Sequence, residues 1–488
     1  MRALRSLVPA AVFLLIAPSR AQATDFYVDP VAGSMSNDGS AAKPWKTLEE
    51  VVNANLIETQ NWSALPYKEG ATLVAKNAGA PVKAGDTLRL RSGYHGAVSL
   101  AGYYNASTIT IAADQGHEPH LHRIDVTAGQ NWKLQGLRFS PSYAPTYDAS
   151  KPLIALANSN FAGPVRDVTV EGCWAESVPD TSAWTGDDWL TKPADGISVQ
   201  GSHQVITGNK LHNVRFGISV TATDTLVEKN VVDSFGNGDG LRGLGDNSVF
   251  QYNLVKNAHH PDPDPSKGNH DDGFQSWSVG PDPADGKQKP GFGVVKNIVL
   301  RGNLFISHED PDPPFKSDFQ GIGCFDGMYD GFVIENNVII SSTYHGISLY
   351  GATNSRIVNN TVIDRQSGDK PAPWIMIHDH KNGALSTGNV VRNNLTSQLS
   401  ISSAGVTQDH NILLADPALF FVDAAKFDLH LLPGAPAIDQ GTGDLAPAID
   451  ADGVPRPQGA AVDVGAYEWH DGPIAGAAGA DPAGGSAG

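Results

Sequence analysis

Through the middle of the chain, apolar residues alternate with polar ones in short runs, and each run ends at a Gly, Asn or Asp. "DGISVQGSHQVITGNKL" is followed by "FGISVTATDTLVEKNVV", then "DGLRGLGDNSVFQYNLV", and later "HGISLYGATNSRIVNNTV". A period of two argues for strands, and none of these repeated segments carries the 3.6-residue period of a helix. The segments open at Gly196, Gly217, Gly240, Gly273, Gly321 and Gly346 and close at Asn209, Asn230, Asn253, Asn303, Asn337 and Asn360. In the first three, Gly and Asn stand 13 residues apart. A unit of 21 to 23 residues holding two or three short strands fits one coil of a parallel β-helix. The Leu-x-x-Leu-x-Leu frame of leucine-rich repeats is missing.

Coils of this kind stack by main-chain hydrogen bonds at about 4.8 Å. The recurring asparagines then bond to one another along the stack, and Cys173 takes the asparagine position of a weaker, earlier copy. Alternation turns Ile197 and Val199 inward, so Ser198 and Gln200 face out. Carried through each coil, this register predicts an outward column of Ser198, Ser219, Arg242, Gln275, Gly323 and Ser348. A second column reads Gln200, Thr221, Leu244, Trp277, Phe325 and Tyr350. Outward aromatics need a cover. Either a sugar chain stacks on them, or the 17 extra residues of the fourth unit fold back over Trp277.

The ends break the repeat. "FYVDPVAGSMSNDGSAAKPWKTLEEVVNA" predicts a strand, a turn region and an amphipathic cap helix, while "GAPAIDQG" and "DADGVPRPQGAAVDVGAYEW" are expected to close the other end. These segments resemble the ends of secreted bacterial right-handed parallel β-helix proteins of the pectate-lyase-like superfamily, many of which act on polysaccharides. The expected fold is therefore all-β, a right-handed parallel β-helix with an N-terminal cap helix. Residues 1–23 read as a signal peptide, with Arg2 and Arg5 ahead of an apolar run and Ala21-Gln22-Ala23 at its end. The cap and first coils follow over 24–84, the β-helix over 85–415, the closing segment over 416–469 and a disordered Gly/Ala-rich tail over 470–488.

Two cysteines cannot staple such a chain, and buried thiols are the better reading than a bridge. With 34 basic against 52 acidic residues and a net charge of -18, nucleic acid is excluded as a partner. An anionic substrate would need local Arg or Lys, or a bridging cation. No apolar run reaches the roughly 20 residues of a membrane span. The chain reads as a secreted monomer, periplasmic or extracellular, whose partner is a polysaccharide.

Chemistry concentrates on the coils from Asp239 to Tyr350. Asp-Gly before a strand is an ordinary turn choice, yet Asp239, Asp271, Asp272 and His345 fall within three stacking steps, roughly 15 Å. The loops "HHPDPDPSKGNHDD" and "HEDPDPPFKSDF" leave the same side, and Asp262, Asp264, Asp310 and Asp312 add carboxylates. Asp239, Asp271 and Asp272 are candidate Ca²⁺ ligands.

The resemblance implies a polysaccharide lyase, or a related C5-epimerase, acting on a uronic-acid glycan. Arg242, Lys316 and His345 are candidates to take the proton, with Tyr344 or His270 to give one. Gln275, Trp277, Phe325 and Tyr350 would bind the sugar. The Arg-rich strand of pectate lyases is not present. The order Asn237-Gly238-Asp239, Asp271-Asp272 and Tyr344-His345-Gly346 is also similar to the polygalacturonase pattern, which implies an inverting hydrolase with Asp272 as acid and Asp239 and Asp271 activating water. A coil near Gly321 intervenes before the histidine, and no Arg-x-Lys follows. A non-catalytic glycan-binding protein is the third reading.

Overall fold

The computed structural model describes residues 23–259, 271–310, 312–315, 319–341, 343–365 and 371–472. The signal-peptide reading, His270, Lys316, Asp262, Asp264 and nearly all of the tail lie outside these residues.

The described chain winds as a parallel β-helix with three strand positions per coil. One coil runs Ile218–Val220, Leu226–Glu228 and Val231–Gly236, and the next runs Leu241–Gly243, Val249–Gln251 and Leu254–His259. Each strand pairs in parallel with its counterpart one coil on. The first strand position continues through Asp272–Trp277, Gln320–Asp326, His345–Tyr350, Trp374–His378 and Gln398–Ile401. Inside, Val, Ile, Leu and Phe form one core along the stack, with Phe250 and Phe274 edge to face at 5.1 Å.

The recurring glycines have a packing cause. The first strand crosses close over the third, so a Cβ on Gly273 would lie 2.6 Å from the Phe305 ring and 2.8 Å from the Gly321 carbonyl oxygen. The closing asparagines form the expected ladder. Each side-chain amide donates to the next Asn Oδ1 at 2.9–3.0 Å and to a backbone carbonyl of the preceding coil, from Asn209 through Asn394 to Asn411. Cys173 heads this ladder, its backbone N–H donating to Asn209 Oδ1 at 2.9 Å. Both cysteines are free, buried thiols, and burial pushes Cys173 up to about 12.

At the N-terminal end, helix Leu48–Asn53 buries Leu48, Val51 and Val52 against the core, with Thr47 capping the Glu50 N–H. Strand Asp25–Val28 pairs in parallel with Thr87–Leu90. From the C-terminal segment, Phe420, Phe421, Leu429, Leu431 and Val464 pack on Ile306, Val338, Ile340, Ile363 and Leu395, which lie on the third strand position of four successive coils. Outward apolar residues there give that segment a flank to cover. Among the described residues, no helix is long and apolar enough to cross a membrane.

Candidate functional site

The first outward column forms as the alternation predicts: Ser198, Ser219, Arg242, Gln275, Gly323 and Ser348 sit side by side, and Met376 and Ser400 extend it. The second forms only in part: Phe325 and Tyr350 pack with ring centres 6.2 Å apart. A bulge after Ser276 sets Trp277 beside Asp326 rather than Phe325. One inserted residue shifts every later side chain by a position, and composition gives no sign of it.

Trp277 is only partly the platform that its exposure suggested. The Arg242 guanidinium lies 4.6 Å from the Trp277 ring and 4.1 Å from the Phe216 ring, so the cation is held between two aromatic faces. The same guanidinium donates from Nε (2.9 Å) and Nη2 (2.6 Å) to Asp239 Oδ2. The insertion forms a hairpin, Val279–Pro281 with Gln288–Pro290, whose Pro290 edges the groove next to Trp277.

The three carboxylates are deep. Asp239 is 1% exposed, and Asp271 and Asp272 are fully buried. Asp271 Oδ1 accepts the Gly238 N–H at 3.2 Å, and Asp272 Oδ2 accepts the Gln275 amide at 3.0 Å. Asp272 Oδ1 occupies the space that a Cβ on Gly323 would need, which explains glycine in that column. Asp239 and Asp272 share the position before the glycine on adjacent coils, followed by Gln320 and then His345, so the cluster does form one file. Its carboxylates are already committed to neighbouring groups. Ca²⁺ takes several oxygens around one point; among the described residues no three His, Cys, Asp or Glu side chains converge to hold a metal, and Asp262 and Asp264 lie outside those residues. Asp310 Oδ1 accepts the Asp312 N–H at 2.9 Å, a local turn.

The open part of the site spans the coils of Asp272–Trp277, Gln320–Asp326, His345–Tyr350 and Trp374–His378. A groove of about 440 Å³ is lined by Gln275, Ser276, Trp277, Pro290, Gln320, Phe325, Asp326, His345 and Lys381. Lys381 Nζ, exposed, stands 2.8 Å from Asp326 Oδ1 and 5.9 Å from the centre of the Tyr350 ring. Tyr350 also packs edge-on against His378. His345 is enclosed by Phe325 (4.8 Å), Tyr344 (4.3 Å) and Trp374 (5.3 Å), ring centre to ring centre. Its Nδ1 is 2.9 Å from Ser348 Oγ, which accepts the Trp374 indole N–H at 3.0 Å. Tyr344, 37% exposed, flanks this histidine.

Sequence reasoning singled out Gln275, Trp277, Phe325, Tyr344, His345 and Tyr350, but passed over Asp326 and Trp374. Trp374 stands in "PAPWIMIH", an alternating run on the next coil that has no opening glycine, so the Gly-to-Asn rule does not register it.

No protein-family model and no curated protein matches the chain. Among solved structures, it is similar to a pectate lyase at 14% identity and a TM-score of 0.47, over 93% of this chain and 98% of that one. It is also similar to the A-module of a mannuronan C-5 epimerase from Azotobacter vinelandii, at 13% identity and a TM-score of 0.40, over 68% of this chain and 91% of that one. A rhamnogalacturonan lyase gives 14% identity and a TM-score of 0.40, over 82% and 90%. At these identities and scores the likeness bears on neither reaction nor substrate.

Proposed function

We propose that this chain is a secreted polysaccharide lyase, or a closely related C5-epimerase, that acts on a uronic-acid-containing glycan in the groove beside Trp277 and Lys381. The observation that carries this reading is the company that one exposed cation keeps. In a chain of net charge -18, Lys381, paired with the exposed Asp326, stands at an open groove lined by Trp277, Phe325 and the amides Gln275 and Gln320. Aromatic walls suit sugar ring faces, and an ammonium with amide donors suits a sugar carboxylate.

The chemistry follows from those parts. Neutralising the carboxylate makes the adjacent C5–H acidic enough to lose its proton. Tyr344 is the proton carrier of this scheme: once its hydroxyl is deprotonated it takes the C5 proton, the C–H electron pair forms the C4=C5 double bond, the C4–O4 bond breaks, and the same hydroxyl returns the proton to O4. An epimerase shares the first step and returns a proton to the opposite face of C5 with C4–O4 intact. Arg242, fixed between two rings and bound to Asp239, is a structural cation in this scheme. The inverting hydrolase would need carboxylates open to water, and Asp239, Asp271 and Asp272 are buried.

The test is incubation with a panel of uronans, followed by ultraviolet absorbance, reducing-end release and solvent-proton exchange at C5. Lyase action gives absorbance; epimerase action gives exchange alone. Reducing ends without absorbance would overturn the proposal in favour of hydrolysis, and silence in all three would leave a binding protein. Tyr344→Phe should abolish the product signal while glycan binding remains.

A further inference from the structure

The Ser348 hydroxyl decides which nitrogen of His345 carries the proton. Ser348 is fully buried, and its Oγ has two partners, the indole N–H of Trp374 at 3.0 Å and Nδ1 of His345 at 2.9 Å. An indole N–H can only donate, so it uses one Oγ lone pair. If Nδ1 also donated, Oγ would accept twice and the hydroxyl hydrogen would be left buried with nothing to bond, a costly arrangement. The accounting closes when the hydroxyl donates to Nδ1, which puts the ring proton on Nε2. Trp374 and Ser348 come from adjacent coils, and Phe325, Tyr344 and Trp374 pack around the imidazole and fix its rotation.

We infer that Trp374 and Ser348 hold His345 as the neutral Nε2–H tautomer, so that it meets a substrate as a hydrogen-bond donor and not as a base. This deepens the proposed function, on which its catalytic meaning rests. At Nε2 the ring is then a donor, and proton transfer is left to Tyr344. Trp374 and Ser348 are positioning residues that act through His345. A neutral imidazole does not give its proton away in this step and needs no partner to restore it.

The tautomer is read without any substrate. Full-length protein labelled with ¹⁵N at histidine is recorded at mildly alkaline pH by long-range ¹H–¹⁵N correlation, with His345 assigned by its loss in His345→Gln. The expected result is a pyrrole-like Nε2 and a pyridine-like Nδ1. In Trp374→Phe, which keeps a ring but removes the donor, and in Ser348→Ala, the two shifts should move toward each other as both tautomers become populated. A pyrrole-like Nδ1, an averaged pair or a persistent imidazolium in the wild type would overturn the inference, as would variants that leave the pattern unchanged. Since no glycan is present, inactivity on every uronan would refute the proposed function and leave this result standing, and the reverse also holds.

Discussion

Replacing Asn303 by alanine tests whether the asparagine ladder, as opposed to the apolar core alone, holds the coils in register. Asn303 Oδ1 accepts both the backbone N–H and the amide of Asn253, at 3.0 and 2.9 Å. Its own amide donates to Phe250 O and to Asn337 Oδ1, each at 2.9 Å. Alanine leaves the buried Asn253 N–H with no acceptor, at about 1–3 kcal/mol, and removes three further bonds whose other ends keep a second partner, each worth about 0.5–1 kcal/mol net. The sum is roughly 2.5–6 kcal/mol. Asn411 ends the ladder and is only part-buried, so Asn411→Ala, which loses the bonds to Asn394 and Val391, should cost about 1–2 kcal/mol. Urea unfolding followed by far-ultraviolet circular dichroism gives both midpoints, compared at a common slope. Equal, small losses at the two positions would refute the argument, because interior and terminal rungs would then carry the same weight.

Other outcomes follow from the site and the flank. Gly323→Ala drives a methyl group into Asp272 Oδ1 and to 2.6 Å from the Phe325 ring, so it should cost about 1–3 kcal/mol and displace a groove wall; thermal melting and glycan affinity should fall together. His430 has Asp452 on Nε2 and Asp428 on Nδ1, both at 2.6 Å, and these carboxylates hold its imidazole up at about 9 against an ordinary 6.5. The charged ring therefore stabilises the fold fully below about 6.5, and the contribution is lost as pH rises through about 9. With the side chain 43% exposed, solvent screening cuts this to about 1–2 kcal/mol; the melting temperature of the wild type should fall over that window, and that of His430→Gln should not.

The coil, its glycine and asparagine columns and the first outward file were all legible in the sequence, because each rests on a period-two alternation that packing enforces in every repeat. The site was legible only in part. Spacing placed Asp239, Asp272 and His345 in one file, but it could not show that Asp239 would be spent on Arg242 or that Asp272 would fill the gap left by Gly323. Those outcomes depend on which neighbour a side chain meets across coils. The bulge after Ser276, which parts Trp277 from Phe325, comes from one unpaired residue with no mark in composition. The flank that the C-terminal segment covers was not legible, because apolar residues fit a flank as well as an end.

That flank has a mechanical meaning for the groove. Ile306, Val338, Ile363 and Leu395 belong to the same four turns that present Trp277, Phe325, His345 and Trp374, so the segment carrying Phe421 and Leu431 grips the very rungs on which the site is spread. A stack of this kind can otherwise fray one turn at a time. Tied across the back, these four should open as a block, and the relative height of the groove's walls is set from the opposite side of the molecule.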